Sequence, residues 1–88
     1  MTVSEAIERK LTAAFAPSSL VIVDESHRHA GHVGARPEGE THFRVEIVSA
    51  AFEGKSRIER QRMVYDLLRD ELAGPVHALS VSAQPEKT

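Results

Sequence analysis

The chain has 88 residues, with 11 Lys and Arg against 13 Asp and Glu and a net charge of −2 when histidine is neutral. That balance disfavours indiscriminate binding to nucleic acid, and the length leaves room for one small domain and little for an enclosed active site. The absence of cysteine excludes disulfides, thiol catalysis and any thiolate metal site made by this chain alone. No apolar run approaches the ~20 residues of a membrane helix, and Met1-Thr2-Val3-Ser4-Glu5 carries no basic segment followed by an apolar one. A cytoplasmic protein is expected.

Thr2-Val3-Ser4-Glu5 has the spacing of a capping box, in which Thr2 and Glu5 satisfy each other's free backbone donors. Val3, Ile7, Leu11, Ala14 and Phe15 follow at helical spacing, and Pro17 forces an end, so a helix is predicted over 2–16. The β-branched run Leu20 to Val23 turns acidic at Asp24-Glu25 and predicts a strand over 20–26. From 27 to 40 there is no periodicity, and Gly31, Gly34, Pro37 and Gly39 punctuate a loop longer than ordinary hairpin connections. Phe43, Val45 and Ile47 then alternate with His42, Arg44 and Glu46, the pattern of a half-buried strand over 41–49. After a turn at Phe52-Glu53-Gly54-Lys55, Ser56-Arg57-Ile58-Glu59 is a second capping box. The predicted helix over 56–73 places Ile58, Val64, Tyr65, Leu68 and Leu72 on its apolar side and Glu59, Arg62, Asp66, Arg69 and Asp70 on its polar side. Gly74-Pro75 stops it, a last strand is predicted over 76–82, and 83–88 is a polar tail.

The order helix, strand, strand, helix, strand gives an α+β domain. Its most economical form is a three-stranded mixed sheet with both helices on one face. The first two strands are antiparallel. If the second and third are neighbours, the helical crossover makes them parallel and right-handed. Ile7, Leu11, Phe43, Val45, Leu68, Leu79 and Val81 are the expected core, with Lys55, Arg60 and Arg62 exposed.

Four of the five histidines, His27, His29, His32 and His42, fall in one stretch, and His77 stands apart. Neutral imidazole is a common metal ligand. In this topology the loop carrying His27, His29 and His32 hangs at the end of the sheet where the second and third strands begin, so His42 and His77 share that rim. Counting back from Leu79 and Val81, His77 should point to the helix-covered side. Alternation with Phe43 should turn His42 to the other side, which makes His77 with a loop histidine the better ligand pair. The histidines do not follow the helical HExxH spacing of a catalytic zinc site, and a zinc ion would want three or four protein ligands. Asp24, Ser26 and His29 could be drawn as a triad, but they are chain neighbours without an oxyanion hole or pocket. No enzyme is expected. Lys55, Arg57, Arg60 and Arg62 form a basic patch at a helix start, where the helix dipole favours anions. Only Gly54 lies near it, so the Gly-x-x-Gly grip of a KH domain is missing.

The strings Asp24-Glu25-Ser26-His27-Arg28-His29-Ala30, Thr41-His42-Phe43-Arg44-Val45, Phe52-Glu53-Gly54, Arg60-Gln61-Arg62-Met63-Val64-Tyr65 and Val76-His77-Ala78-Leu79-Ser80, in this order, closely resemble the BolA family from about Ile7 to Ser82. The resemblance implies a fold similar to a type II KH domain. It also implies partnership with a monothiol (CGFS-type) glutaredoxin and a 2Fe–2S cluster shared between the two proteins, present only with glutaredoxin and glutathione. The family's ligand positions fall here on His77 and His29, with His27 and His32 as reserves on the same loop. Many members have a histidine where this chain has Gln61, which is not an expected ligand position. The resemblance also implies a possible role as a DNA-binding transcriptional regulator acting through the basic patch. The free protein is expected to be a monomer. Imidazole in place of thiolate raises a cluster's reduction potential and makes its ligation sensitive to protonation.

Overall fold

The computed structural model describes residues 2–25 and 42–86. The elements are α1 (Val3–Phe15), β1 (Ser19–Asp24), β2 (His42–Val48), a single 3₁₀ turn (Ala50–Phe52), α2 (Arg57–Leu67), α3 (Arg69–Ala73) and β3 (Ala78–Gln84). Both capping boxes form. The Thr2 hydroxyl accepts from the Glu5 N–H at 3.1 Å while the Glu5 carboxylate accepts from the Thr2 N–H at 3.0 Å. Ser56 and Glu59 repeat this at 3.2 and 3.0 Å. Each box satisfies donors that a helix start otherwise leaves to water.

The sheet runs β1-β2-β3, with β1 antiparallel and β3 parallel to the central β2. The register sets Ile22 opposite Val45 and Val45 opposite Val81, so one face collects the apolar side chains of all three strands. Phe43, Val45, Ile47 and Ala83 are buried there with Ile7 and Leu11 of α1, Phe52, Val64, Leu68 and Val76. Leu79 and Val81, expected in the core, pack against it but are only partly buried, because β3 is an edge strand.

The two helices end differently. Ala16 takes a left-handed conformation (φ 42°, ψ 56°) between Phe15 and Pro17, which costs a residue with a Cβ about 1–2 kcal/mol. Its N–H bonds back to the Thr12 carbonyl. The fully buried Ser49 donates its hydroxyl to the Phe15 carbonyl and accepts from the Ala51 N–H at 3.1 Å. One serine thus closes the end of α1 and starts the 3₁₀ turn, whose Phe52 ring lies 4.9 Å from that of Phe15.

The single helix predicted over 56–73 is broken at Leu68 (φ −100°, ψ 16°). The chain does not leave the helical path, since the Leu68 N–H still bonds to Val64 and its carbonyl still accepts from Leu72. Two assignments on this helix are corrected. Ile58 is not on the apolar side but 64% exposed. At 100° per residue it lies about 120° from Val64 around the helix. Arg60 is half-buried, not exposed, and its Nε is buried without a hydrogen-bond partner among the described residues.

The last strand begins at Ala78, two residues later than predicted. The Gly74 N–H closes α3 on the Asp70 and Glu71 carbonyls, and the Val76 N–H bonds to Glu71 at 2.9 Å. Val76 is buried. It is therefore committed to finishing the helix and cannot join the ladder.

Candidate metal-ligand rim

His77 is positioned by that helix stop. Val76 is anchored in the core before it and Ala78 enters the ladder opposite His42 after it. Because His77 sits in the bend between them, the alternation of Leu79 and Val81 does not extend back to it. It is exposed, not turned towards the helix-covered side. His42 opens β2, and its neighbour Phe43 fixes its side of the sheet by being buried. The two rings lie 6.3 Å apart, centroid to centroid, with 28° between their planes. The expectation that His42 and His77 face opposite sides is thus overturned. Their shared rim is real, and they stack on it.

The ends of the intervening segment meet at the same place. The Glu25 N–H donates to the His42 carbonyl at 2.8 Å, extending the β1–β2 ladder by one bond. Arg44, on the outer face of β2, donates to Glu25 at 3.2 Å and to Glu46 at 2.6 Å. His27, His29 and His32 lie outside the described residues. Among the described residues no group of three or more His, Cys, Asp or Glu is arranged to hold a metal ion. The donor set in view is therefore two imidazoles side by side, on a chain without thiolates. It suits completing a metal group whose other ligands come from elsewhere.

At the start of α2, Lys55, Arg57 and Arg62 are exposed and only Arg60 is drawn inward. Arg57 and Gln61 line a groove of about 150 Å³ with Val81, Ser82, Ala83 and Gln84 of β3. Glu59 is held below the ordinary carboxylate value of 4.5, first by the Ser56 backbone N–H, then by the Ser56 side chain, with Lys55 and Arg62 adding weaker attraction. It stays charged within the basic patch and partly offsets it.

The pairing of His42 with His77 was missed from the residues alone. A usable signal was present in Gly74-Pro75, since a helix closed by such a stop recruits the next residue or two, which delays the strand and frees His77 from its phase.

The model for the BolA-like protein family matches residues 11–87. The chain belongs to the BolA family. It is 46% identical over 81 residues to the DNA-binding transcriptional regulator BolA of Escherichia coli, covering 92% of this chain and 73% of that one. It is 48% identical over 82 residues to SufE-like protein 1 of Arabidopsis thaliana, covering 89% of this chain. The chain spans only 22% of that longer protein and 48% of Protein BOLA1 from the same plant. Among solved structures it is similar to the BolA domain of SufE1 from A. thaliana, with a TM-score of 0.84, 46% identity and coverage of 94% and 91% of the two chains.

Proposed function

We propose that this BolA-family chain supplies the imidazole half of a two-protein 2Fe–2S site in iron–sulfur trafficking or iron sensing, its partner being a monothiol glutaredoxin. The observation that carries this reading is the exposed His77, fixed between a core residue and a strand on the rim where Glu25 and His42, the described residues on either side of the histidine-bearing segment, are hydrogen-bonded. His77 and His29 are the proposed ligands, with His27 and His32 in reserve. Cysteine and glutathione thiolates from the partner complete the set, which a chain without cysteine cannot do. His42, whose ring stacks with that of His77 at 6.3 Å between centroids, is a neighbour of the ligand and not itself a proposed cluster ligand. Histidine ligation gives such a cluster a higher potential than thiolates alone.

The test is to mix the protein with a CGFS-type glutaredoxin, iron, sulfide and glutathione and record the visible absorption. A coloured heterodimer is expected, with no cluster on the free chain. His77→Ala should abolish it. His29→Ala should weaken it, because neighbours on the same segment can substitute, and His42→Ala should shift the spectrum without bleaching it. A stoichiometric cluster on the isolated protein, or full colour in His77→Ala, would sink the reading.

A second reading is favoured by the three exposed cations Lys55, Arg57 and Arg62 at one helix start and by the E. coli relative's name. In it, the patch binds DNA phosphates. Arg57→Ala with Arg62→Ala should then lower affinity and shrink the salt slope by about 0.9 per lost contact. Equal affinity of wild type and double mutant in a gel-shift titration rules the patch out.

A further inference from the structure

We propose that His42 and His77 form a two-imidazole site that takes a single late divalent transition ion, of the zinc, nickel or copper class, on the free chain. This goes beyond the cluster reading. It makes His42 a ligand, needs no partner protein, and concerns one exchangeable ion without sulfide.

The backbone brings the two rings together before any ion arrives. His42 opens β2, and its partner across the parallel ladder is Ala78. His77 is the residue before Ala78. Val76, before it in turn, is buried and bonded through its N–H to the Glu71 carbonyl. On the other strand the His42 carbonyl accepts from the Glu25 N–H at 2.8 Å. Both backbones are therefore fixed to the sheet, and little order has to be created on binding.

The rings stand at chelating distance, with centroids 6.3 Å apart and 28° between their planes. With metal–nitrogen bonds of about 2.1 Å, two imidazoles on one ion hold their centroids roughly 4.5 to 6.4 Å apart, the lower values for narrow angles at the metal. The observed spacing lies at the wide end, and closing to a tetrahedral angle takes about 1 Å. His77 is exposed in its bend, and the ring torsion of histidine has broad wells, so turning a ring edge towards the ion costs little. Each imidazole has two nitrogens. One can bind the ion while the other keeps a hydrogen bond, as metal-bound histidines generally do.

The donor chemistry selects the ion. Neutral imidazoles suit Zn²⁺, Ni²⁺ and Cu²⁺ and offer little to Mg²⁺ or Ca²⁺, which take oxygen ligands. Two residues along β2 from His42, Arg44 is bonded to both Glu25 and Glu46. Two carboxylates against one guanidinium leave a local charge that favours a cation. Among the described residues no third His, Cys, Asp or Glu joins the pair. Water fills the remaining positions, which makes the ion exchangeable, unlike the closed four-ligand sites of structural zinc. Because His77 is also the cluster ligand proposed above, an ion here would have to leave before a cluster formed, and this consequence alone rests on that reading.

The probe is Zn²⁺ alone, titrated into the full chain without glutaredoxin, iron or sulfide and followed through the imidazole Cε1–H signals in NMR. The His42 and His77 signals are expected to shift together with one dissociation constant, and Mg²⁺ at the same concentration should move neither. His42→Ala should weaken the zinc response of the His77 ring about tenfold or more, and His77→Ala should do the same to the His42 ring, because each removes a tethered second ligand. Undisturbed amide signals of Val45 and Val64 would show that both variants keep the fold. The reciprocal loss is read at the two rings themselves, so zinc held by His27, His29 or His32 does not imitate it. The proposal is overturned if the two rings titrate with different constants, if either ring keeps its wild-type zinc affinity in the variant lacking the other, or if only the signals of His27, His29 and His32 move. A chain that passes this test and yet forms no coloured complex with the glutaredoxin leaves the ion site standing and sinks the cluster reading alone. A coloured complex from a chain that fails it does the reverse.

Discussion

Helices α1 and α2 begin alike and behave differently. Each opens with a complete capping box, and each buries aliphatic side chains against the same sheet face. Around α1 the division is clean. Ile7 and Leu11 are buried, Val3 and Phe15 pack beside them, and Lys10 reaches across to Glu71 at 2.9 Å. Around α2 it is not. A guanidinium is drawn inward at Arg60, an isoleucine is left in water at Ile58, and the regular helix is interrupted at Leu68. Because a small domain has little stability to spare, such departures from amphipathic order mark the helix that carries a surface with work to do. By this argument α1 is scaffold, whereas α2 is scaffold on one side and, on the other, carries the exposed cations of the DNA reading proposed above.

The comparison breaks first at the core. Leu11 and Leu68 are both fully buried, so Leu11→Ala and Leu68→Ala should each cost about 2–5 kcal/mol in urea unfolding. If Leu68→Ala costs well under 1 kcal/mol, the end of α2 is not part of the scaffold and the division within α2 fails.

The helix ends sharpen it next. Ser49→Ala removes the donor to the Phe15 carbonyl and the acceptor for Ala51 inside the core. A loss of about 1–3 kcal/mol is expected, with the near-ultraviolet dichroism of Phe15 and Phe52 changing as their contact loosens. Intact stability would mean that Pro17 alone fixes the end of α1.

Much of this division was legible in the residues, and its failures are instructive. The capping boxes, the alternation of Phe43, Val45 and Ile47, and the antiparallel-then-parallel sheet follow from spacing and connection length, which are local or topological facts. Ile58 and Arg60 were misplaced because the residues between 57 and 63 are mostly polar, and so few apolar positions cannot fix the phase of a stripe. Packing against β3 decided it. The stacking of His42 on His77 depends on where a parallel partner starts, which the Val76–Glu71 hydrogen bond delays. Ser49 looked like an ordinary strand end because its partner, Phe15, lies 34 residues away.

A smaller effect separates the two inward-leaning cations. Lys10 is paired with Glu71, whose side chain is only 13% exposed, so Lys10→Met should cost up to about 1 kcal/mol, since the lysine itself stays partly in solvent. Arg60 has a buried Nε without a hydrogen-bond partner among the described residues, so Arg60→Met should be neutral or stabilising by about 1 kcal/mol. Opposite signs in paired thermal melts support the contrast between the helices. A clear loss at Arg60 would show that its guanidinium is held by contacts that matter to the fold.

The smallest effect tests what the helices share. Both Glu5 and Glu59 are held below the ordinary carboxylate value of 4.5, in each case first by the N-cap backbone N–H and then by the N-cap side chain. A carboxyl depressed in the folded state contributes stability that is complete above its unfolded value and is lost as pH falls through its folded value. The window therefore begins near 4.5 and extends downward. Gln can still accept in a capping box, so Glu5→Gln and Glu59→Gln remove the charge and keep the hydrogen bond. Each variant should be slightly less stable than wild type at neutral pH, and the gap should close as pH drops below 4.5 and wild type protonates. Added salt should narrow the Glu59 gap, because Lys55 and Arg62 contribute to its shift through space and such exposed attraction is screened. A gap that stays constant from neutral pH down through the acid range would show that these carboxylates act by shape alone, and that the caps owe nothing to charge.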